Sequence, residues 1–367
     1  MKDVVITGIG LRSCLGNLDT SWAQLLLNRS GIAIAQPFRD LPPYPLGLIG
    51  TQPANLGELT TEIVNEAIAD ARLELPLPDC GVVIGSSRGA QSQWEAFLTD
   101  KNTPLNWWDS LPQVASVITA QQISTSGPVL SPMGACTTGI WAIAQGWELI
   151  QGGYCQRVIA GAIETPITPL TLIGFAQMNA LATTGCYPFS VNRQGLVLGE
   201  AGAVFILENA DLAYRRNAKI YGKILGYGLN CDAYHVSAPE PTGKYAIAAI
   251  KQCLQSTTKI DYIHAHGTAT QLNDDREAKI IKTLFGNKIA VSSTKGATGH
   301  TLGASATLGI AFSLMAIQKQ QLPPCVGLDR TNFDLNLITT ATKSQINQVL
   351  CLSFGFGGQN GAIAISQ

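Results

Sequence analysis

Short buried strands that end in turns and give way to helical periodicity recur from one end of this chain to the other, and few architectures accommodate that pattern. Val4-Val-Ile-Thr-Gly-Ile-Gly10, Gly81-Val-Val-Ile-Gly85 and Arg157-Val-Ile-Ala-Gly-Ala-Ile-Glu164 read as strands, as do Ile260 to His264 and Ile289 to Ser292. Leu196 to Glu208 reads as a glycine-bearing turn into a strand, and Lys219 to Tyr227 is strand-like. Thr20 to Leu27, Leu59 to Leu73, Val114 to Ile123 and Tyr245 to Leu254 carry apolar residues at helical spacing. The alternation predicts an α/β architecture with largely parallel sheets. Gln36 to Asn55, rich in Pro and Gly, reads as a loop, and Asp100 to Pro112, with Trp107 and Trp108, has no clear period. A polar stretch, Asp211 to Asn217, marks a candidate boundary between halves 1–210 and 211–367, although no internal repeat is visible as residue identity.

Composition narrows the function classes. Hydrophobic residues make up 46% of the 367 and charged residues only 13%, enough for a large core and for further burial in an oligomer. A net charge of −1, with no basic tract interleaved with aromatics, argues against nucleic acid. No apolar run approaches the roughly 20 residues of a membrane span, and the N-terminus lacks the features of a signal peptide. Nine cysteines without CxxC spacing point to a reducing cytoplasm rather than a disulfide framework or zinc site. Gly8-x-Gly10 lacks the third glycine of a dinucleotide fingerprint, since position 13 is Ser13.

Three turns carry candidate chemistry. In Ser131-Pro-Met-Gly-Ala-Cys-Thr-Thr-Gly139, an apolar run delivers the chain to Cys136, after which Ile140, Ile143, Trp147 and Ile150 recur at helical spacing. A thiol at a helix start meets unpaired backbone N–H groups and the positive end of the dipole, which favour the thiolate. In His264-Ala-His-Gly-Thr-Ala-Thr270, a strand ends in His266 followed by glycine, placing the imidazole outside the carboxyl end of a strand, where ligands bind in open α/β sheets. Ser292-Ser-Thr-Lys-Gly-Ala-Thr-Gly-His-Thr-Leu-Gly303 places Lys295 and His300 after another strand. A cysteine with sequence-distant histidines suits thiol nucleophilic catalysis. Metal binding is the competing reading, but no third and fourth ligands share these turns, so no metal is expected.

With these motifs in order, the chain resembles the β-ketoacyl-(acyl-carrier-protein) synthases, most nearly the elongating condensing enzymes of type II fatty-acid and polyketide synthesis. The resemblance runs from Val4 to the closing Ser353-Phe-Gly-Phe-Gly-Gly358 and includes Asp232-Ala-Tyr-His235. It implies a thiolase-like five-layered α-β-α-β-α fold of two similar halves, each with a mixed sheet. It also implies a homodimer, or a heterodimer with a related ketosynthase-like chain. The implied reaction is a decarboxylating Claisen condensation of an acyl group on Cys136 with malonyl-acyl-carrier-protein. By the same resemblance phosphopantetheine would ride on the acyl carrier protein, and the enzyme itself would bind no cofactor. His266 and His300 would polarise the extender thioester, Lys295 would anchor the histidines, and backbone N–H groups of Cys136 and Phe356 would form the oxyanion hole. Phe356 would gate the acyl chain, Phe354 and Arg88 would line its pocket, and Thr268 and Thr270 would contact the pantetheine arm.

Several positions depart from the family pattern. Gly309 stands where Glu is common, nine residues after His300, and Ser190 and Gln194 stand where Asp is common; Leu352 replaces Asn. The basic helix with which relatives dock the carrier has no counterpart near Asn55 to Glu62. Two other functions fit the same fold: a non-decarboxylating acyltransferase, and a chain-length-factor-like partner, against which intact Cys136, His266 and His300 argue. A guanidinium is costly to bury alone. Arg88 therefore either shortens the acyl pocket or meets a polar acyl terminus, or else turns away to pair with Glu95.

Overall fold

A computed structural model describes residues 3–99, 107–257 and 259–367. The chain begins with β1 (Val4–Ser13), α1 (Leu18–Leu26) and a short hairpin of β2 (Ala33–Ala35) and β3 (Tyr44–Leu46). There follow α2 (Leu56–Asp70), β4 (Gly81–Gly85), α3 (Gln91–Thr99), α4 (Val114–Ile123), β5 (Val129–Leu130), α5 (Thr138–Gln151), β6 (Arg157–Glu164), α6 (Pro169–Gln177) and β7 (Ala201–Asn209). After α7 (Ala210–Arg215) come β8 (Gly222–Cys231), α8 (Lys244–Cys253), β9 (Tyr262–His264), α9 (Gln271–Phe285), β10 (Ala290–Ser292), α10 (Lys295–Thr298) and α11 (Ser305–Lys319). The chain closes with β11 (Gln321–Leu322), β12 (Asn336–Leu337), β13 (Thr342–Lys343), β14 (Gln348–Gly355) and β15 (Gln359–Ser366).

The strand order β5-β4-β6-β7-β1 is repeated as β10-β9-β14-β15-β8, with β12 extending the second edge. A short β1–β8 pairing, Val5 with Lys223 and Ile6 with Gly222, joins the two sets. Helices α2 and α4 cover one outer face and α8 the opposite one, while α5 and α11 pack together between the sheets. These are the five layers of the thiolase-like fold, and they place a repeat in topology that residue identity hides.

The sheet is less parallel than the alternation predicts. The β4–β5, β4–β6, β9–β10 and β9–β14 pairs are parallel, but β1–β7, β6–β7, β8–β15 and β14–β15 are antiparallel. Only a three-residue turn, Phe356–Gly358, separates β14 from β15, and so short a link allows only an antiparallel partner. The Gly8-x-Gly10 pair has a packing reason. A Cβ on Gly10 would lie 1.9 Å from Ile63 O, so the bare backbone lets α2 seat against β1. Helix α2 starts earlier than its apolar period predicts because Asn55 Oδ1 caps it, accepting from Gly57 N and Glu58 N.

Helix α11 is the apolar heart of the molecule: every residue from Ser305 to Ile317 is buried. Leu302–Lys319 is long and apolar enough to cross a membrane by composition, a segment the sequence reading passed over, yet 89% of it is buried inside this core. Each large side chain it buries contributes about 1.5–3 kcal/mol. That rigidity fixes the segment immediately before it, which carries His300. Of the aperiodic stretch, residues 100–106 lie outside the described residues, and Trp107–Ser110 forms a 3-10 turn.

Candidate active site

Cys136 lies just before α5, between an isolated bridge, Gly134 with Cys136, and the cap residue Thr137. Its neighbours lock the turn: Thr137 Oγ1 donates to Gly134 O at 2.7 Å, and Thr138 Oγ1 accepts from Gly134 N at 2.9 Å. The strand-end turns of the other sheet bring the imidazoles to it. His300 Nε2 is 3.3 Å from Cys136 Sγ, and the His266 and His300 rings meet edge to face at 5.4 Å. The Phe356 N–H donates to the same sulfur, and Gly355 packs against Cys136 N.

Each imidazole is held from behind. His266 N and Gly267 N donate to the two oxygens of Glu277 at 2.6 and 2.7 Å, pinning the turn to α9. Lys295 Nζ donates to His266 O and lies 3.5 Å from His266 Nδ1. An ammonium beside Nδ1 favours that nitrogen unprotonated, which leaves Nε2–H to donate into the site. Ser353 Oγ, 3.4 Å from the same Nδ1, donates to Cys136 O at 2.8 Å and so ties the histidine to the cysteine turn. His300 Nδ1 meets Ser305 Oγ at 2.8 Å.

Burial keeps these groups near neutrality. It pushes His266 and His300 well below the usual imidazole range, with the Lys295 ammonium acting in the same direction. It lowers Lys295, a shift opposed by Glu277. Cys136 is pushed up to about 11 by burial, with Lys295 and then Arg88 pulling it back and Glu164 raising it. The helix start therefore does not by itself make a free thiolate: in a closed, buried turn the loss of solvent outweighs it. Cys14, Cys80, Cys186, Cys325 and Cys351 stand higher still, at about 12.

A cavity of about 500 Å³ opens on Cys136, His266 and His300. Phe354, Phe356, Thr268 and Thr270 line it. Phe354 sets its ring against His266 at 5.9 Å, and the Thr268 and Thr270 hydroxyls pair at 2.9 Å. Arg88 is not among the lining residues. Nor does it pair with Glu95, whose carboxylate instead accepts from Gln91 Nε2 and Leu170 N. The Arg88 guanidinium lies 5.9 Å from the centroid of Phe175, whose ring in turn lies 5.9 Å from that of Phe356. The aromatic face competes successfully with a carboxylate already bonded elsewhere.

Gly309 also acquires a physical meaning. A Cβ there would come within 2.7 Å of His264 Nδ1, so the His264 ring fills the space a side chain would enter. His264 Nε2 bonds Thr294 Oγ1 at 3.1 Å, next to Lys295, and among the described residues Lys295 forms no ion pair. The sequence argument against metal ligation did not anticipate that Cys136, His266 and His300 converge, with ligand atoms all within 4.8 Å of one another. Those three groups could take up a thiophilic cation, although the Lys295 ammonium behind His266 opposes one.

Sequence reasoning missed Ser305, the Ser353 bridge, and three buried carboxylates. Asp274 and Glu277, three residues apart on one face of α9, are acids on a buried stripe, a signal that was available. Glu164 ends β6 and accepts from Ser86 Oγ at 3.1 Å, Arg88 N at 3.3 Å, Gly303 N at 3.2 Å and Ser87 N. It thereby ties the Arg88 turn to the His300 turn.

Known proteins resemble this chain in sequence and fold. Family models described as "Beta-ketoacyl synthase, N-terminal domain" and "Beta-ketoacyl synthase, C-terminal domain" match residues 55–213 and 221–329. The chain is 34% identical to the 3-oxoacyl-[acyl-carrier-protein] synthase 2 of Coxiella burnetii, with 100% of this chain and 99% of that protein covered. It is 35% identical to the protein of the same name from Synechocystis sp., with coverage of 100% and 98%. A β-ketoacyl synthase structure from Burkholderia phymatum superposes with a TM-score of 0.92 at 25% identity over 100% of both chains. A type II polyketide ketosynthase, solved with its acyl-carrier protein and bound to the hexaketide, superposes at 0.91 and 25% identity, covering 100% and 99%.

Proposed function

Because this chain belongs to the β-ketoacyl synthase family and is an acyl-condensing enzyme, we propose that Cys136 carries the acyl group while His266 and His300 serve the extender. The Cys136 sulfur attacks the acyl thioester carbonyl, the C–S bond to the carrier protein's phosphopantetheine breaks, and the proton given up by Cys136 ends on the departing phosphopantetheine thiol. A malonyl thioester then enters the same cavity and loses CO₂, the freed electron pair moving into the enolate. His266 and His300 donate N–H groups to the enolate oxygen. The carbanion attacks the acyl-Cys136 carbonyl, the Cys136 and Phe356 N–H groups hold the oxyanion, and the thiolate is expelled, leaving the β-ketoacyl thioester on the carrier. Thioester exchange is nearly isoenergetic, so the chemistry needs no nucleotide.

One observation carries this reading: a buried thiol 3.3 Å from a neutral imidazole, with a second neutral imidazole alongside, at the base of one cavity. Lys295 anchors the His266 turn, Phe356 gates the acyl chain, and Thr268 and Thr270 contact the pantetheine arm. The repeated strand order supports halves 1–210 and 211–367. Exposed Trp94, Leu98, Trp108 and Leu170, with the edge strand β5, support pairing with a second copy or a related chain. Nine free thiols support a reducing cytoplasm. Malonyl-thioester decarboxylation is the test: release of CO₂ in step with acylation of Cys136 supports condensation, and acyl exchange without CO₂ would indicate the non-decarboxylating acyltransferase instead.

A further inference from the structure

Ser305 opens α11, five residues beyond His300, and is buried with it. Three polar atoms meet its Oγ: His300 Nδ1 at 2.8 Å, Thr301 N at 3.0 Å and Thr301 Oγ1 at 3.2 Å. A hydroxyl has one hydrogen and two lone pairs to share. The Thr301 N–H can only donate, so it takes one lone pair. One hydrogen and one lone pair remain for the imidazole and the Thr301 hydroxyl.

Two assignments are possible. If Nδ1 carried the ring proton, it would take the second lone pair and Ser305 would donate to Thr301 Oγ1. The Thr301 hydroxyl proton would then lack an acceptor among the described residues, on a side chain only 1% exposed. Buried donors without partners are penalised. If Nδ1 is bare, Ser305 donates to it, and Thr301 donates to Ser305. Every N–H and O–H group that meets Ser305 is then paired, at the cost only of the weak S–H donor of Cys136, and the shortest contact goes to the ring nitrogen, the stronger acceptor.

We propose that Ser305 is a positioning residue that fixes His300 as the Nε2–H tautomer, aiming that N–H at Cys136 Sγ. His300 is then a hydrogen-bond donor throughout: to the Cys136 sulfur before acylation, and to the enolate oxygen after CO₂ leaves. It does not act as the base for Cys136, because accepting a second proton would create a buried imidazolium facing Lys295. The catalytic consequence rests on the condensing reading above; the tautomer itself does not.

The test is ¹⁵N NMR of the histidine side chains in the resting protein, with His300 assigned by the signal missing from His300→Ala. A neutral Nε2–H pattern is expected for His300. Ser305→Ala should convert it to a mixture or to Nδ1–H, and Ser305→Thr, which keeps the hydroxyl, should retain it. In the same variants, malonyl-thioester CO₂ release should fall about 10- to 100-fold in Ser305→Ala, with KM held, and recover in Ser305→Thr. An Nδ1–H pattern in the unmodified protein would overturn the proposal even if no variant folds. So would a Ser305→Ala protein that keeps both the Nε2–H pattern and its rate of CO₂ release. Absence of CO₂ release from the unmodified protein would count against the condensing reading alone, since the spectrum is recorded without substrate.

Discussion

The turns that follow β4 and β5 occupy the same places in the repeated strand order as those that follow β9 and β10, yet they carry opposite chemistry. The first pair supplies a thiol, Cys136, and a turn, 86–89, whose backbone is bound to the buried Glu164. The second supplies two imidazoles and an ammonium, His266, His300 and Lys295. Burial drives both sets toward the uncharged form, raising Glu164 and Cys136 and lowering the histidines and Lys295. Under the proposed function the comparison becomes a division of labour: one half would hold the atom that becomes covalently attached, and the other neutral donors that would stabilise oxygen anions. Cationic histidines would hold the malonyl carboxylate in place and oppose its loss; neutral ones do not.

The hardest break of that comparison is to remove the attached atom. Cys136→Ala should lower condensation by at least about 10³-fold, read as β-ketoacyl product formed, whereas substitution of Cys155 or Cys186 should leave the rate unchanged. Next in size is removal of a donor from the opposite half. His300→Ala should still accept an acyl group on Cys136, but its CO₂ release should fall about 10²–10³-fold, measured with labelled malonyl thioester. Normal CO₂ release would make His300 structural and erase the division.

A smaller effect sharpens the comparison through pH. Glu200, on the first half, has its carboxyl raised from 4.5 to about 7 by burial, with the Ala54 and Ile49 N–H groups opposing the shift. Its contribution to stability is present below 4.5 and lost as pH rises through 7, so Glu200→Gln should gain on the unmodified protein across that window. His264, on the second half, is lowered by burial from 6.5 to about 3. Its contribution is present above 6.5 and lost as pH falls toward 3, so the unmodified protein should lose ground to His264→Asn below 6.5. Each difference has a slope of at most about 1.4 kcal/mol per pH unit, readable by denaturant melts. The smallest effect concerns Arg88, whose guanidinium ends the aromatic row of Phe356 and Phe175. Arg88→Ile should move preference toward longer saturated acyl chains by about tenfold or less. An unchanged chain-length profile would leave selection to the segment around Trp107 and Trp108.

The two halves were also unequally legible in the sequence. Strands such as Gly81–Gly85 and Arg157–Glu164 and the helix Val114–Ile123 stood out residue for residue, because each is a largely apolar run bounded by local turn signals. Strand direction did not, since pairing of β8 with β15 or β1 with β7 depends on partners far along the chain. Among site residues, Cys136, His266, Lys295 and His300 were visible because each follows a strand in a turn. Ser305 and Ser353 were not: a serine in an apolar run reads as packing until its hydroxyl is seen facing an imidazole. The Glu95 pairing weighed for Arg88 does not form: the sequence shows Glu95 at helical spacing but not that Gln91 and Leu170 already occupy its carboxylate.

Intact-protein mass spectrometry coupled to CO₂ measurement tests the division of labour most directly. The unmodified protein and a His266→Ala/His300→Ala double variant would each be offered acyl-carrier thioesters of several lengths and then malonyl thioester. Both should gain one acyl group, mapped to Cys136, and only the unmodified protein should then release CO₂ and pass the acyl group to the β-ketoacyl product. An acyl group mapped to any other residue, or CO₂ released at the unmodified rate by the double variant, would contradict it.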